Sequence, residues 1–184
     1  MKGQIAACAL TAAVLFSSCA AEPQAQTHSE GVLPIRMSCE RVEPFYSVPL
    51  AAEVQHYIKA LCEEERIDPA IIIAMAEVES NYNSDAIGDG GNSFGLMQIQ
   101  PRWHSERMKA LGVTDLLDPK QNVTVGIDIL AELVAKYDGN IEMALVAYNA
   151  GPTGAYRYWF SRGVYTSEYS RKVLELSREL KGES

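Results

Sequence analysis

The stretch from Asp68 to Asn83 reads DPAIIIAMAEVESNYN. Asp68 followed by Pro69 is a helix start, since an aspartate side chain can cap free backbone N–H groups and proline is tolerated at the first helical position. From there to about Asn81 apolar side chains stand on nearly every face, among them Ile71, Ile72, Ile73, Met75 and Val78. A helix of that kind belongs in the middle of a core. Two glutamates, Glu77 and Glu79, interrupt it just before it ends. A buried carboxylate is costly unless it is paired, hydrogen-bonded or kept protonated. Glu79 shares a helix face with Ile72, Met75 and Ala76 and lies where the macrodipole is negative. Both effects disfavour ionisation, so its carboxyl is expected above the usual range, as a general acid working near neutral pH requires. Glu77 has a weaker version of the same surroundings in Ala70, Ile73 and Ala74. The plain alternative is two helix-end glutamates that reach solvent or a buried arginine.

Before this helix, SVPLAAEVQHYIKALCEEERI has apolar residues at helical spacing, including Val54, Tyr57, Ile58, Leu61 and Cys62, with Ser47 as candidate cap. After it, NSDAIGDGGNSFG is a loop by composition, with room for a short hairpin. GLMQIQP and a helix through RWHSERMKAL follow. A long helix in DLLDPKQNVTVGIDILAELVAKYDG starts at Asp118 and Pro119, shows a stripe of Ile127, Leu130, Leu133, Val134 and Tyr137, and stops at Gly139. NIEMALVAYNAGP is a shorter helix ended by Gly151 and Pro152, and TSEYSRKVLELSREL is an amphipathic closing helix. There is no internal repeat, no heptad array and no parallel-strand alternation. The expected fold class is mainly α, with a loop or small hairpin after the Glu79 helix.

The 184 residues allow one ordinary domain with short extras. Residues 1–19 have the layout of an export signal, with one lysine, an apolar run from Ile5 to Phe16 and small residues after it. That run is too short to span a bilayer. FSSC resembles the lipobox of bacterial lipoproteins, which would make Cys19 the lipidated first residue, although Phe16 stands where leucine is usual. The rival is cleavage after SCA, which releases a soluble chain. The lipid-anchored form is the expected one, because the polar, proline-containing stretch 20–46 suits a tether; the domain then occupies 47–184.

Lys2 is the only charged residue before Cys19, so the remainder carries 15 basic and 24 acidic residues, a net charge of −9. With no basic patch to offset that repulsion, a nucleic-acid partner is not expected. In an exported context Cys39 and Cys62 could form a disulfide, worth about 3 kcal/mol in the chain-entropy model. Two buried free thiols fit the sequence equally well. The three histidines, His28, His56 and His104, are scattered, with no HExxH pair and no Cys/His cluster, so neither a metal nor a cofactor is expected. His56 reads as a helix-surface residue and His104 as a loop or helix-start residue. No GxSxG elbow and no phosphate loop is present.

VESNYNSDAIGDGGNSFGLMQIQP together with ALVAYNAGP resembles the catalytic domain of the soluble lytic transglycosylases. The signatures of that family are an E-S pair, a downstream G-L-M-Q, and A-Y-N-A-G some fifty residues on. The resemblance covers about Ser47 to Leu180 and implies a lysozyme-like helical fold acting on peptidoglycan strands, with the sole catalytic acid on Glu79. It also implies a sugar groove lined by Gln98 with Met97 adjacent, by Tyr148 with Asn149 beside it, and by Tyr169 before the last helix. The chain departs from the family at YTSEY, where Tyr165 replaces the usual glutamate, and at Phe94, where many relatives carry a small residue. A monomer is expected.

Ordinary glycosidases divide the work between two carboxylates. The resemblance implies one, which first protonates the glycosidic oxygen and then, as a base, frees a substrate hydroxyl to close an anhydro ring. The rival enzyme is a goose-type lysozyme, which resembles this fold and hydrolyses the same bond, with Asp85 or Asp89 positioning the water. A non-catalytic wall-binding homologue is the reading from a different class. Against it stands Glu79, because a protein that only binds has no physical reason to keep a costly buried acid.

Overall fold

A computed structural model of the chain describes residues 42–183. The export-signal, Cys19 and Cys39 readings lie outside those residues. Among the described residues the chain forms α1 (Ala52–Glu65), α2 (Pro69–Ser80), β1 (Ile87–Gly88), β2 (Ser93–Phe94), α3 (Pro101–Ala110), α4 (Pro119–Lys136), α5 (Ile141–Tyr158), a 3-10 turn (Phe160–Arg162) and α6 (Glu168–Leu180). The two strands pair antiparallel as a minimal hairpin, Ile87 opposite Phe94 and Gly88 opposite Ser93. No helix among the described residues is long and apolar enough to cross a membrane.

α2 lies between α1 and α6, while α4 packs on α1 and α5. Asp68 Oδ1 accepts the Ala70 N–H at 2.9 Å, the expected cap, and every residue from Ala70 to Ala76 is buried. Each of the large side chains in that run stabilises the fold by roughly 1.5–3 kcal/mol through burial. The helix stops because Asn81 turns left-handed at φ 51°, so that the Asn81 and Tyr82 N–H groups close on the carbonyls of Glu77 and Ala76. Glu79 is thereby held in the last turn of a helix whose other end is fully in the core.

One local expectation is corrected and a second is extended. Ser47 does not cap α1, whose N-cap is Ala51 with no side-chain hydrogen bond. The buried side chain of Gln55 takes over that end, accepting from Tyr46 N–H at 3.0 Å and donating to the carbonyls of Tyr46 and Leu50. The A-Y-N-A-G helix ends at Gly151 as expected, but a further helical stretch follows it directly. Gly151 breaks the helical path with φ 68° and ψ 152°, and Pro152 then starts a further helical stretch running to Tyr158. A proline placed one residue after a glycine ends one helix and is also a permitted first residue of the next, and the sequence reading took only the first of these.

The segment between the hairpin and α3 folds back on itself: Phe94 and Ile99 exchange both backbone hydrogen bonds at 3.0 Å, leaving Gly95 to Gln98 as the bend. That bend is pinned from below by Asn122 of α4, which is fully buried. Its Oδ1 accepts the Met97 N–H, and its Nδ2 donates to the carbonyls of Phe94 and Leu116, all at 2.8 Å. Gly95 has φ +71°, and a Cβ there would sit 2.3 Å from Asn122 Nδ2, so this approach needs glycine on both counts. Asn122→Ala strips the buried Met97 N–H and Leu116 carbonyl of their side-chain partner, while the Phe94 carbonyl keeps the Ile99 N–H. Its expected cost is on the order of 3 kcal/mol, read as a lower urea midpoint with an unchanged slope.

Candidate active site

Glu79 reaches from the end of α2 into a cleft between the hairpin, α3, α4 and α5. The cavity is about 850 Å³ and is lined by Glu79, Gln98, Tyr148 and Asn149, with Asp89, Trp103, His104, Arg107 and Glu132 along its α3 side. A second cavity of about 730 Å³ is lined by Val78, Asn149, Tyr169, Arg171, Lys172 and Glu175. Asn149 lines both cavities.

Burial pushes the Glu79 carboxyl up from an ordinary 4.5 to about 7, and a hydrogen bond from Tyr169 holds it back from rising further. Tyr169 Oη donates to Glu79 Oε1 at 2.6 Å, the length of a charge-assisted O–H···O bond. α6 delivers that tyrosine: Ser167 and Ser170 cap its start reciprocally, which sets the helix on which Tyr169 stands. The Tyr169 and Tyr148 phenols are themselves pushed well above their ordinary value, first by burial and next by the charge of Glu79. Both therefore stay protonated donors at any working pH. Glu77 differs from Glu79 in its partner, accepting from Tyr82 Oη at 2.8 Å, and lies outside both cavities.

The sequence-predicted residues do not all meet in one place. Gln98, Tyr148 and Asn149 line the cleft with Glu79, and Tyr169 reaches Glu79 from the neighbouring cavity. Gln98 Nε2 donates to the carbonyls of Gly95 and Ala86, which fixes its side chain across the bend. Met97 does not line the cleft. Its side chain is fully buried against α4, where a Cβ on Gly126 would lie 2.9 Å from Met97 Cγ. What Met97 offers the site is its carbonyl, which accepts from Tyr148 Oη at 3.1 Å and sets the tyrosine ring.

Cys62 is fully buried on α1, and burial raises its thiol to about 12, which keeps it protonated and inert as a nucleophile. His56 lies on the outer side of α1 with Nε2 2.9 Å from the Glu43 carbonyl. Burial and the Arg107 charge lower the basicity of His104, which borders the cleft. No group of His, Cys, Asp and Glu side chains among the described residues is arranged to hold a metal ion.

Three features escaped the sequence reading. Asn122 pins the bend, and its signal was present: it shares the buried face of α4 with Gly126, Leu130 and Leu133, a polar residue on an apolar stripe. Gln100 Nε2 donates to Asp89 Oδ2 at 2.6 Å and to Ser93 Oγ at 3.1 Å, tying the hairpin to the start of α3. Arg107 pairs with Asp128, Nε to Oδ2 at 3.2 Å, and with Glu132, tying α3 to α4. These links join residues remote in sequence, and no short motif marks them.

The sequence profile described as the transglycosylase SLT domain matches residues 56–168. The chain belongs to this family. The transglycosylase of Enterobacteria phage PRD1 is 33% identical to this SLT-domain chain over 127 residues, covering 69% of the chain and 44% of the phage protein. The chain thus spans less than half of that relative. Lysozyme g of Casuarius casuarius is 29% identical over 130 residues, 64% of this chain and 66% of the lysozyme. The solved 70 kDa soluble lytic transglycosylase of Escherichia coli superposes with a TM-score of 0.61 at 23% identity, covering 73% of this chain and 25% of that one. The SLT fold is thus lysozyme-like, helical, with the hairpin after α2.

Because Glu79 binds its proton more tightly folded than unfolded, folding loses stability as pH rises from 4.5 through about 7. Glu79→Gln lacks that loss. Above pH 7 it should be the more stable protein by about 3 kcal/mol, and below pH 4 the two should melt together in calorimetry. Tyr169→Phe removes the contact that favours the ionised form, so the Glu79 titration, followed by carboxyl NMR shift, should move to higher pH.

Proposed function

We propose that this chain is a peptidoglycan lytic transglycosylase that cleaves the bond from N-acetylmuramic acid to N-acetylglucosamine, with Glu79 as acid and then base. The observation that carries it is a buried carboxyl with a pKa of about 7 in an 850 Å³ cleft, held by a tyrosine hydroxyl. At neutral pH such a group is protonated part of the time and can give its proton to a leaving oxygen. The other two cleft carboxylates are already committed, Asp89 to Ser93 and Gln100 and Glu132 to Arg107.

Glu79 gives its proton to the glycosidic oxygen as the bond from the muramic acid C1 to that oxygen breaks. The oxocarbenium-like carbon is met by the substrate's own N-acetyl oxygen. The Glu79 carboxylate, stabilised by Tyr169, then takes the proton from the muramic acid C6 hydroxyl while the C6 oxygen bonds to C1 and displaces the N-acetyl oxygen, whose electrons return to the amide. The products are an anhydromuramic end and a free N-acetylglucosamine 4-hydroxyl, Glu79 is again protonated, and no water is consumed. Intramolecular capture competes well because the hydroxyl belongs to the same sugar as the carbon it attacks. Gln98, Tyr148 and Asn149 line the groove in this account.

Hydrolysis in the manner of a goose-type lysozyme has one observation in its favour: Asp89 borders the same cleft as Glu79, fixed by Gln100 and Ser93, where a carboxylate could hold a water. Asp85 does not line the cleft. The substrate lies outside the cytoplasmic membrane, so we also propose export through the signal at 1–19, a lipid on Cys19, a tether over 20–46 and a monomeric catalytic domain at 47–184.

Mass spectrometry of purified peptidoglycan after digestion should show anhydromuramic ends, and Glu79→Gln should cut turnover by about a thousandfold while the far-UV circular dichroism stays native. Reducing ends in the products would place the chain with the hydrolases. Substantial activity in Glu79→Gln would remove Glu79 from the chemistry.

A further inference from the structure

We propose that the indole face of Trp103 is a sugar-stacking platform, a subsite on the α3 side of the cleft for a glycan residue other than the one being cleaved. This rests on the glycan-cleaving reading above and adds a determinant of strand length to it. Trp103 is 71% exposed, yet it lines the same cavity as Glu79 and Gln98. α3 has no buried residue, so the indole is not there to fill a core.

The ring is nevertheless held in place. Arg102 lies over it at 4.9 Å from the ring centroid, covering one face. The helix beneath is fastened at both ends by polar links, Gln100 to the hairpin and Arg107 to α4. A pyranose presents a face of C–H groups that an indole can cover while the sugar hydroxyls stay wet. His104 and Glu132 border the same wall and supply polar partners for those hydroxyls. The elements that hold Glu79 and its tyrosine, α2 and α6, are different from the one that carries Trp103, so a strand seated on both must extend along the cleft.

Two measurements test this. The chain has two tryptophans, and Trp159 is the other, so Glu79→Gln combined with Trp159→Phe leaves Trp103 as the only reporter. Titration with peptide-free N-acetylglucosamine–N-acetylmuramic acid oligosaccharides should give a saturable change in emission that tightens with oligosaccharide length. In the otherwise unaltered enzyme, Trp103→Ala should lower kcat/KM about tenfold on long strands, through KM, and much less on the shortest cleavable oligosaccharide, with Trp103→Phe recovering part of the loss.

Equal losses at every length, no loss, or no emission change would overturn the platform. The binding readout does not depend on the chemistry of cleavage. Emission change with reducing ends in the products overturns only the transglycosylase reading, and anhydro ends without emission change overturn only Trp103.

Discussion

The site depends on one balance, the cost of taking the Glu79 carboxyl out of water against a single hydrogen bond that eases it. α2 is buried over seven consecutive residues and then ends abruptly at a left-handed Asn81, which leaves Glu79 at the boundary between core and cleft. Full burial without a partner would leave the group neutral and useless as a base in the second half of a reaction. Full exposure would leave it ionised at neutral pH and useless as an acid. Tyr169 keeps the carboxyl between those limits, and its own position depends on the serine pair that caps α6.

The wall facing Glu79 is built by a different device. The bend from Gly95 to Gln98 has little regular structure of its own, so its shape is imposed by Asn122, which satisfies three backbone groups of the bend and the neighbouring loop. Leu96 and Met97 point into the core as a result, while Gln98 is left facing the cleft. The G-L-M-Q motif thus divides into two residues that anchor and one that is presented, with a glycine that permits the approach. Polar links then hold α3 to this frame, with only the partly buried Met108 packing on the core, and surface links of that kind are weaker per contact than core packing. The α3 side is therefore the part of the cleft best able to vary without threatening the fold.

Much of the architecture was legible because helix signals are local. Asp68–Pro69 and Asp118–Pro119 mark starts through the same side-chain cap, and the apolar stripe of α4 follows the helical period. The errors arose where a local signal has two outcomes. Ser47 could have capped a helix but lost to the side chain of Gln55, and Pro152 could end a helix or begin one. Met97 reads as a groove residue because Gln98 beside it is, yet an unbranched apolar side chain opposite Gly126 gains more from the core.

By itself the sequence determined the helices, their order, the loop after α2 and the likeness of three motifs to one family, since each of these is written in spacing and composition over a few residues. The residues sharing its helix face gave Glu79 a modest advantage over Glu77, and the likeness of the three motifs turned that into an expectation. Only the tertiary structure decided how far Glu79 is desolvated, that its partner comes from ninety residues away in α6, and that Asn122 and Arg107 hold the cleft walls. Desolvation and long-range hydrogen bonds depend on what surrounds a group in space, and no local pattern along a chain carries that information.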